Sequence, residues 1–101
     1  MVQSNTLLVT DEVDLGAPRA VHCKRECHHV YIGRPSKWGN PFVLGRDGTR
    51  EQVIGRYEAW LLGREELVAA LGELRGKVLG CWCAPRACHG DVLVRLANAP
   101  R

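Results

Sequence analysis

Lys77-Val78-Leu79-Gly80-Cys81-Trp82-Cys83 is an apolar run of strand length, preceded by Gly76 and followed by a loop that carries Pro85. Its almost unbroken apolar character suits a central strand covered on both faces. Gly90-Asp91 then leads into a helical stripe of Val92, Leu93, Leu96 and Ala97. Asp91 suits the positive end of that helix's dipole, and Asn98 and Pro100 stop it.

On the N-terminal side of the strand, Leu67, Val68, Leu71 and Leu74 form a second helical stripe, ended by Gly76. Thr49 opens another helix, with Gln52 three residues on in the capping-box pattern. Val53, Tyr57, Trp60 and Leu61 follow on one apolar face, which assigns Tyr57 and Trp60 to the core, and Gly63 ends or bends the helix. Residues 33–48 hold too many Gly and Pro for a helix and read as one long irregular segment. Residues 30–32 and 20–23 read as short strands, and residues 6–10 as a third, followed by loop over 11–18. The order of elements predicts a weakly structured leader over 1–18 and a single α/β domain over 19–101. That domain is a small, partly parallel sheet with about three helices, Rossmann-like in two or three layers.

The chain has 101 residues, 46% hydrophobic and 25% charged, which excludes disorder and fits one globular domain. There is no repeat, low-complexity tract or interdomain linker, and no apolar run of the ~20 residues a membrane span needs. Residues 1–10 lack the basic start and apolar stretch of a signal peptide, so the expected compartment is cytoplasmic and reducing. The net charge of +3 is unevenly spread. Residues 19–50 carry seven bases against Glu26 and Asp47, a local +5, which suits an anionic small molecule or nucleic acid. Five cysteines (Cys23, Cys27, Cys81, Cys83 and Cys88) cannot all pair within one chain, so metal ligation or a reactive thiol is preferred to a disulfide framework.

Two segments could carry chemistry. In Cys81-Trp82-Cys83-Ala84-Pro85-Arg86-Ala87-Cys88-His89-Gly90-Asp91, a strand end meets a helix start, the edge where open α/β sheets bind ligands. Cys81 and Cys83 share a strand face, with Trp82 on the other, and Cys88 and His89 sit where unpaired helix N–H groups stabilise a thiolate. Three readings stay open. One is a zinc site using some of Cys81, Cys83, Cys88 and His89, completed by Cys23, Cys27, His28 or His29, although the spacing is not that of a zinc finger. Another is a metal-free site in which Cys88 or His89 is catalytic or touches ligand. The third is simple packing of small buried thiols. An iron–sulfur ligand spacing is absent.

The other segment is Tyr31-Ile32-Gly33-Arg34-Pro35-Ser36-Lys37-Trp38-Gly39-Asn40-Pro41-Phe42. Gly33 and Gly39 permit close backbone approach, Arg34 can hold phosphate or carboxylate bidentately, and Trp38 can stack on a base or be pinned into the core. Neither a Walker loop nor a dinucleotide fingerprint is present.

Together, YIGRPSKWGNPF and GCWCAPRACHGDVL resemble the domain of unknown function 4326 family, frequent in bacteriophages and found in some bacteria. The resemblance spans residues 20–97 and maps the family pattern onto Gly33, Arg34, Trp38, Gly39, Asn40, Pro41 and Phe42, and onto Cys81, Cys83, Pro85, Cys88, His89 and Gly90. Cys27, His28 and His29 fall outside that pattern. The resemblance implies a phage-encoded protein of the host cytoplasm and a site, without naming a reaction.

The first functional expectation is a pocket, formed where the two motifs meet, that binds a nucleotide or nucleic-acid component and could act on it. Arg34 and Lys37 would hold phosphate, Trp38 would stack, Asn40 would bond base or sugar, and Gly33, Ser36 and Arg86 would complete the ligand contacts. Cys88 or His89 would be nucleophile, general base or metal ligand. The alternative is a non-enzymatic, zinc-stabilised module that binds a host protein or DNA, though the last helix offers DNA only Arg95. The residue types leave enzyme and binding module open.

Overall fold

The structure, a computed structural model, describes residues 14–100. The strand expected over 6–10 and most of the expected leader lie outside them. Three strands, β1 (Arg19–His22), β2 (Val30–Tyr31) and β3 (Val78–Cys81), form a sheet in the order β1-β3-β2. Both pairings are parallel, with Ala20 and Val30 each opposite Leu79. All four β3 residues are buried, as a central parallel strand with both faces covered requires. The fold is a small α/β domain with a parallel sheet and three α-helices: α1 (Arg50–Leu62), α2 (Glu65–Ala70) and α3 (His89–Ala97).

Parallel strands usually need a helical crossover of a dozen residues or more. Here residues 23–29 alone take the chain from the end of β1 to the start of β2. The amides of Arg25 and Glu26 both donate to the His22 carbonyl, at 3.0 and 3.1 Å, and turn the chain back. His29 rejoins the sheet reciprocally: its amide donates to the Val78 carbonyl at 2.8 Å, and its Nδ1 accepts the Val78 amide at 2.9 Å. This connection passes over β3 at Gly80, where a Cβ would fall 2.6 Å from the His28 ring. The Cys23–His29 cluster is therefore the crossover itself.

The opposite face of the sheet carries α3, which packs on β1 and β3 and in turn against α1. Thr49 caps α1 through the expected box: its Oγ1 accepts the Gln52 amide at 3.2 Å, and Gln52 Oε1 accepts the Thr49 amide at 2.8 Å. Val53, Tyr57 and Leu61 are buried, Trp60 packs partly buried against the same core, and Gly63 ends the helix. After α2 the chain tightens into a 3-10 helix, Leu71–Leu74, which changes the rotation per residue. Leu67 and Leu74 are buried and Val68 faces outward, so the expected four-residue stripe is only partly a core face. Gly76, at φ +75, then turns the chain into β3 through backbone space that other residues rarely enter. Among the described residues no helix is long and apolar enough to cross a membrane.

Candidate functional site

The carboxyl ends of β2 and β3 open into a cleft in two joined halves. The inner half, about 130 Å³, is lined by Gly33 and Arg34 after β2, by Asn40, Phe42 and Leu44 of the irregular segment, by Val53 and Ile54 of α1, and by Cys88 and His89 of α3. The outer half, about 440 Å³, is lined by His22, Arg25, Arg86 and the Ala84-Pro85 turn. Arg50, Trp82 and Cys83 border both halves. The two motifs thus meet at one surface, and each brings a cis X-Pro bond there, Arg34–Pro35 and Ala84–Pro85.

Trp82 leaves β3 just past its last paired residue and is 55% exposed. Its Nε1 donates to Tyr31 Oη at 2.9 Å, and Tyr31 Oη donates to the Arg34 carbonyl at 2.8 Å. This chain fixes the indole at the boundary between the halves. His22 meets its ring edge-on at 5.7 Å and Lys24 Nζ lies 5.8 Å from its centroid. Gly33 is needed for the same arrangement, because a Cβ there would fall 2.3 Å from Tyr31 Oη. Its close approach serves Tyr31 rather than a ligand.

The charge of the cleft has one sign. Neither half is lined by Asp or Glu among the described residues. Elsewhere Arg19, Lys37, Arg46, Arg64 and Arg95 each hold a carboxylate. Arg25, Arg34, Arg50 and Arg86 have no carboxylate partner among the described residues, and only Arg50 spends a side-chain bond, to the Ala87 carbonyl at 3.1 Å.

At the inner wall, Cys88 caps α3. Its Sγ accepts the Gly90 amide at 3.3 Å, and Asp91 Oδ2 accepts the Cys88 amide at 3.1 Å. Behind it lies Cys81, with the two sulfurs 3.1 Å apart and both residues buried. This pair loses its first proton below the ordinary thiol range, because the remaining S–H donates to the thiolate, and holds the second above it, because that bond, burial and the first charge all oppose another. His89 Nε2 donates to the Ile32 carbonyl at 2.8 Å, and the ring packs edge-on against Tyr57 at 4.9 Å. Burial, with Arg34 nearby, lowers its proton affinity, so the ring is neutral at pH 7 with its proton on Nε2.

Several sequence-based expectations need correction. Trp38 is only 2% exposed, in the core, with the Tyr57 hydroxyl donating to its carbonyl at 2.7 Å, so it has no face to stack on a ligand. Lys37 pairs with Glu73 at 2.9 Å and does not line the cleft. Ser36 Oγ accepts the Trp38 amide and shapes the loop. Asn40 stands in the cleft wall, but its side chain bridges the Phe42 amide and the Val53 carbonyl. Cys81, Cys83, Cys88 and His89 do not converge as a zinc site: His89 Nε2 already has a carbonyl, and among the described residues no three His, Cys, Asp or Glu gather to hold a metal. Arg34, Cys88, His89 and Arg86 do border the cleft. Trp82, Arg50, Arg25 and Phe42 also border the cleft, though residue types alone did not select them as ligand contacts. For Trp82 a signal existed, since strand alternation from a buried Cys81 points it outward.

Sheet, crossover and cleft define a compact parallel α/β domain with a cleft at the strand ends. The chain belongs to the domain of unknown function 4326 family, whose model matches residues 17–99. It is 36% identical over 85 residues to an uncharacterised 12.4 kDa protein in the nrdA-td intergenic region of Enterobacteria phage T4, covering 79% of this chain and 77% of that one. It is 34% identical over 85 residues to an uncharacterised protein of Acanthamoeba polyphaga mimivirus, covering 66% of this chain and 65% of that one. No solved structure matches the chain.

Proposed function

We propose that the cleft binds a nucleotide, with the base in the inner half against Trp82 and the phosphates in the outer half. The observation that carries this reading is the set of four arginines without carboxylate partners among the described residues, around an exposed tryptophan. Leaving cations unpaired around a concavity costs self-repulsion that a bound anion relieves. The inner half is close to the ~150 Å³ that takes one benzene-sized ring, and its Phe42, Leu44 and Ile54 are apolar. The outer half has the volume and charge for sugar and phosphate, and Arg25 and Arg86 can grip phosphate oxygens in pairs. The five free thiols suit the reducing cytoplasm of an infected host as the place of action.

Calorimetric titration with adenosine, AMP and ATP, and with their guanosine and cytidine counterparts, tests the reading. Nucleotides bind, and the matching nucleosides bind more weakly or not at all. Arg86→Ala removes most of that difference, and Trp82→Ala weakens all members by about tenfold, the scale of a lost base stack. Absence of heat with every nucleotide, or equal affinity of Trp82→Ala and the parent chain, overturns it.

A further inference from the structure

Cys81 and Cys88 bring two buried thiols into contact inside the core. They come from different elements, the end of β3 and the cap of α3, and are seven residues apart in sequence. Their sulfurs nevertheless stand 3.1 Å apart, so about 1 Å of approach separates them from the ~2.05 Å of a disulfide. Cys83 makes no sulfur contact among the described residues, and Cys23 and Cys27 lie on the crossover, so no other thiol shares this geometry. Access is also one-sided. Cys88 lines the inner cleft, whereas Cys81 is wholly buried behind it.

We propose that Cys81 and Cys88 form a redox-active dithiol that takes a hydroperoxide through the cleft and closes to a disulfide tying β3 to α3. The pair shares one proton across the 3.1 Å contact, and with that proton on Cys81 the Cys88 thiolate attacks one peroxide oxygen; the O–O bond breaks, the other oxygen leaves and is protonated to an alcohol or water, and Cys88 becomes a sulfenic acid. Cys81 sulfur then attacks Cys88 sulfur; the S–O bond breaks, and hydroxide leaves with the Cys81 proton as water. The two sulfurs lose two electrons and the peroxide gains them. The Gly90 amide directed at Cys88 Sγ supports negative charge on the attacking sulfur. The proposal does not depend on the nucleotide reading, because it rests on the sulfur pair, its access from the cleft and the Gly90 amide.

Trypsin offers a direct readout, because Arg86 separates the two cysteines into peptides 78–86 and 87–95. The reduced full-length chain is treated with equimolar hydrogen peroxide, alkylated under denaturing conditions, digested and mapped by mass spectrometry. The expected result is a cross-link of peptides 78–86 and 87–95, with loss of alkylation at Cys81 and Cys88, reversed by dithiothreitol. The Cys83→Ser variant keeps this cross-link, and Cys88→Ser, in which a hydroxyl preserves the helix cap, abolishes it. Loss of the cross-link in Cys83→Ser overturns the assignment, since Cys83 would then be the partner. Oxidation of Cys23 and Cys27 with Cys81 and Cys88 still fully alkylated overturns it as well, as does a Cys88 sulfinic acid beside an alkylated Cys81.

Discussion

Trp38 is 2% exposed within the core that Tyr57 and Leu61 also fill, whereas Trp82 is 55% exposed and held by one hydrogen bond to Tyr31. Replacing each by alanine separates core from site. Trp38→Ala removes a large buried ring and costs about 3–5 kcal/mol, a large part of the stability of a domain this size. Trp82→Ala costs on the order of 1 kcal/mol, the worth of its hydrogen bond. Urea melts of the two variants check this, and equal losses would place Trp82 in the core. His89 supplies a pH dependence. In the folded chain burial lowers its proton affinity, while the unfolded chain takes up the proton near the ordinary 6.5. Below 6.5 the unfolded state therefore binds more protons, and stability rises with pH. The contribution is fully present above about pH 6.5 and is lost as pH falls through the lower folded value. His89→Gln keeps a donor for the Ile32 carbonyl and does not titrate. Compared by denaturant melts at about pH 5 and about pH 7.5, the parent chain loses more stability in acid than the variant. Identical losses would show that another group governs the acid limb.

The helices differ in how plainly their chemistry is written. Thr49 and Gln52 stand at capping-box spacing and make that box. The α3 cap is a cysteine, a residue type that does not announce a helix start, although Asp91 already marks the first turn. Two glycines test the elements in opposite directions. Gly55 lies mid-α1, where a Cβ meets nothing within 4 Å, so Gly55→Ala stabilises by about 0.5–1 kcal/mol through helix propensity alone. Gly90 lies in the first turn of α3, where a Cβ would come 2.9 Å from both Ala20 Cβ and Ile32 Cδ1. Gly90→Ala destabilises by about 1–3 kcal/mol, because α3 must lift from the sheet. Thermal melts decide, and a stabilised Gly90→Ala would mean that the α3–β1 contact is loose.

The whole molecule turns one end of its sheet into a cationic concavity, so the binding proposed above depends on ionic strength. Affinity for ATP weakens several-fold between about 0.05 and about 0.5 M salt, as screening shortens the reach of the arginines. Adenosine, which carries no charge, shows no such trend. Salt-independent ATP binding would remove Arg25, Arg34, Arg50 and Arg86 from the site. The α/β class, the central strand and the Thr49 cap were legible along the chain, because each rests on local spacing or a local apolar run, whereas the meeting of the two motifs could be expected only because each follows a strand. Among the described residues, the sequence by itself determined most of the strand, helix and loop segments, since propensity and periodicity act over a few neighbouring residues. Only the tertiary structure decided that Trp82 rather than Trp38 faces the cleft, that Lys37 turns to Glu73, and that Arg50 and Arg25 reach the same surface. It also decided that Cys81 meets Cys88 while Cys23–His29 becomes a crossover over Gly80. These outcomes depend on distances between segments far apart in the chain, which packing sets and local residue type does not encode.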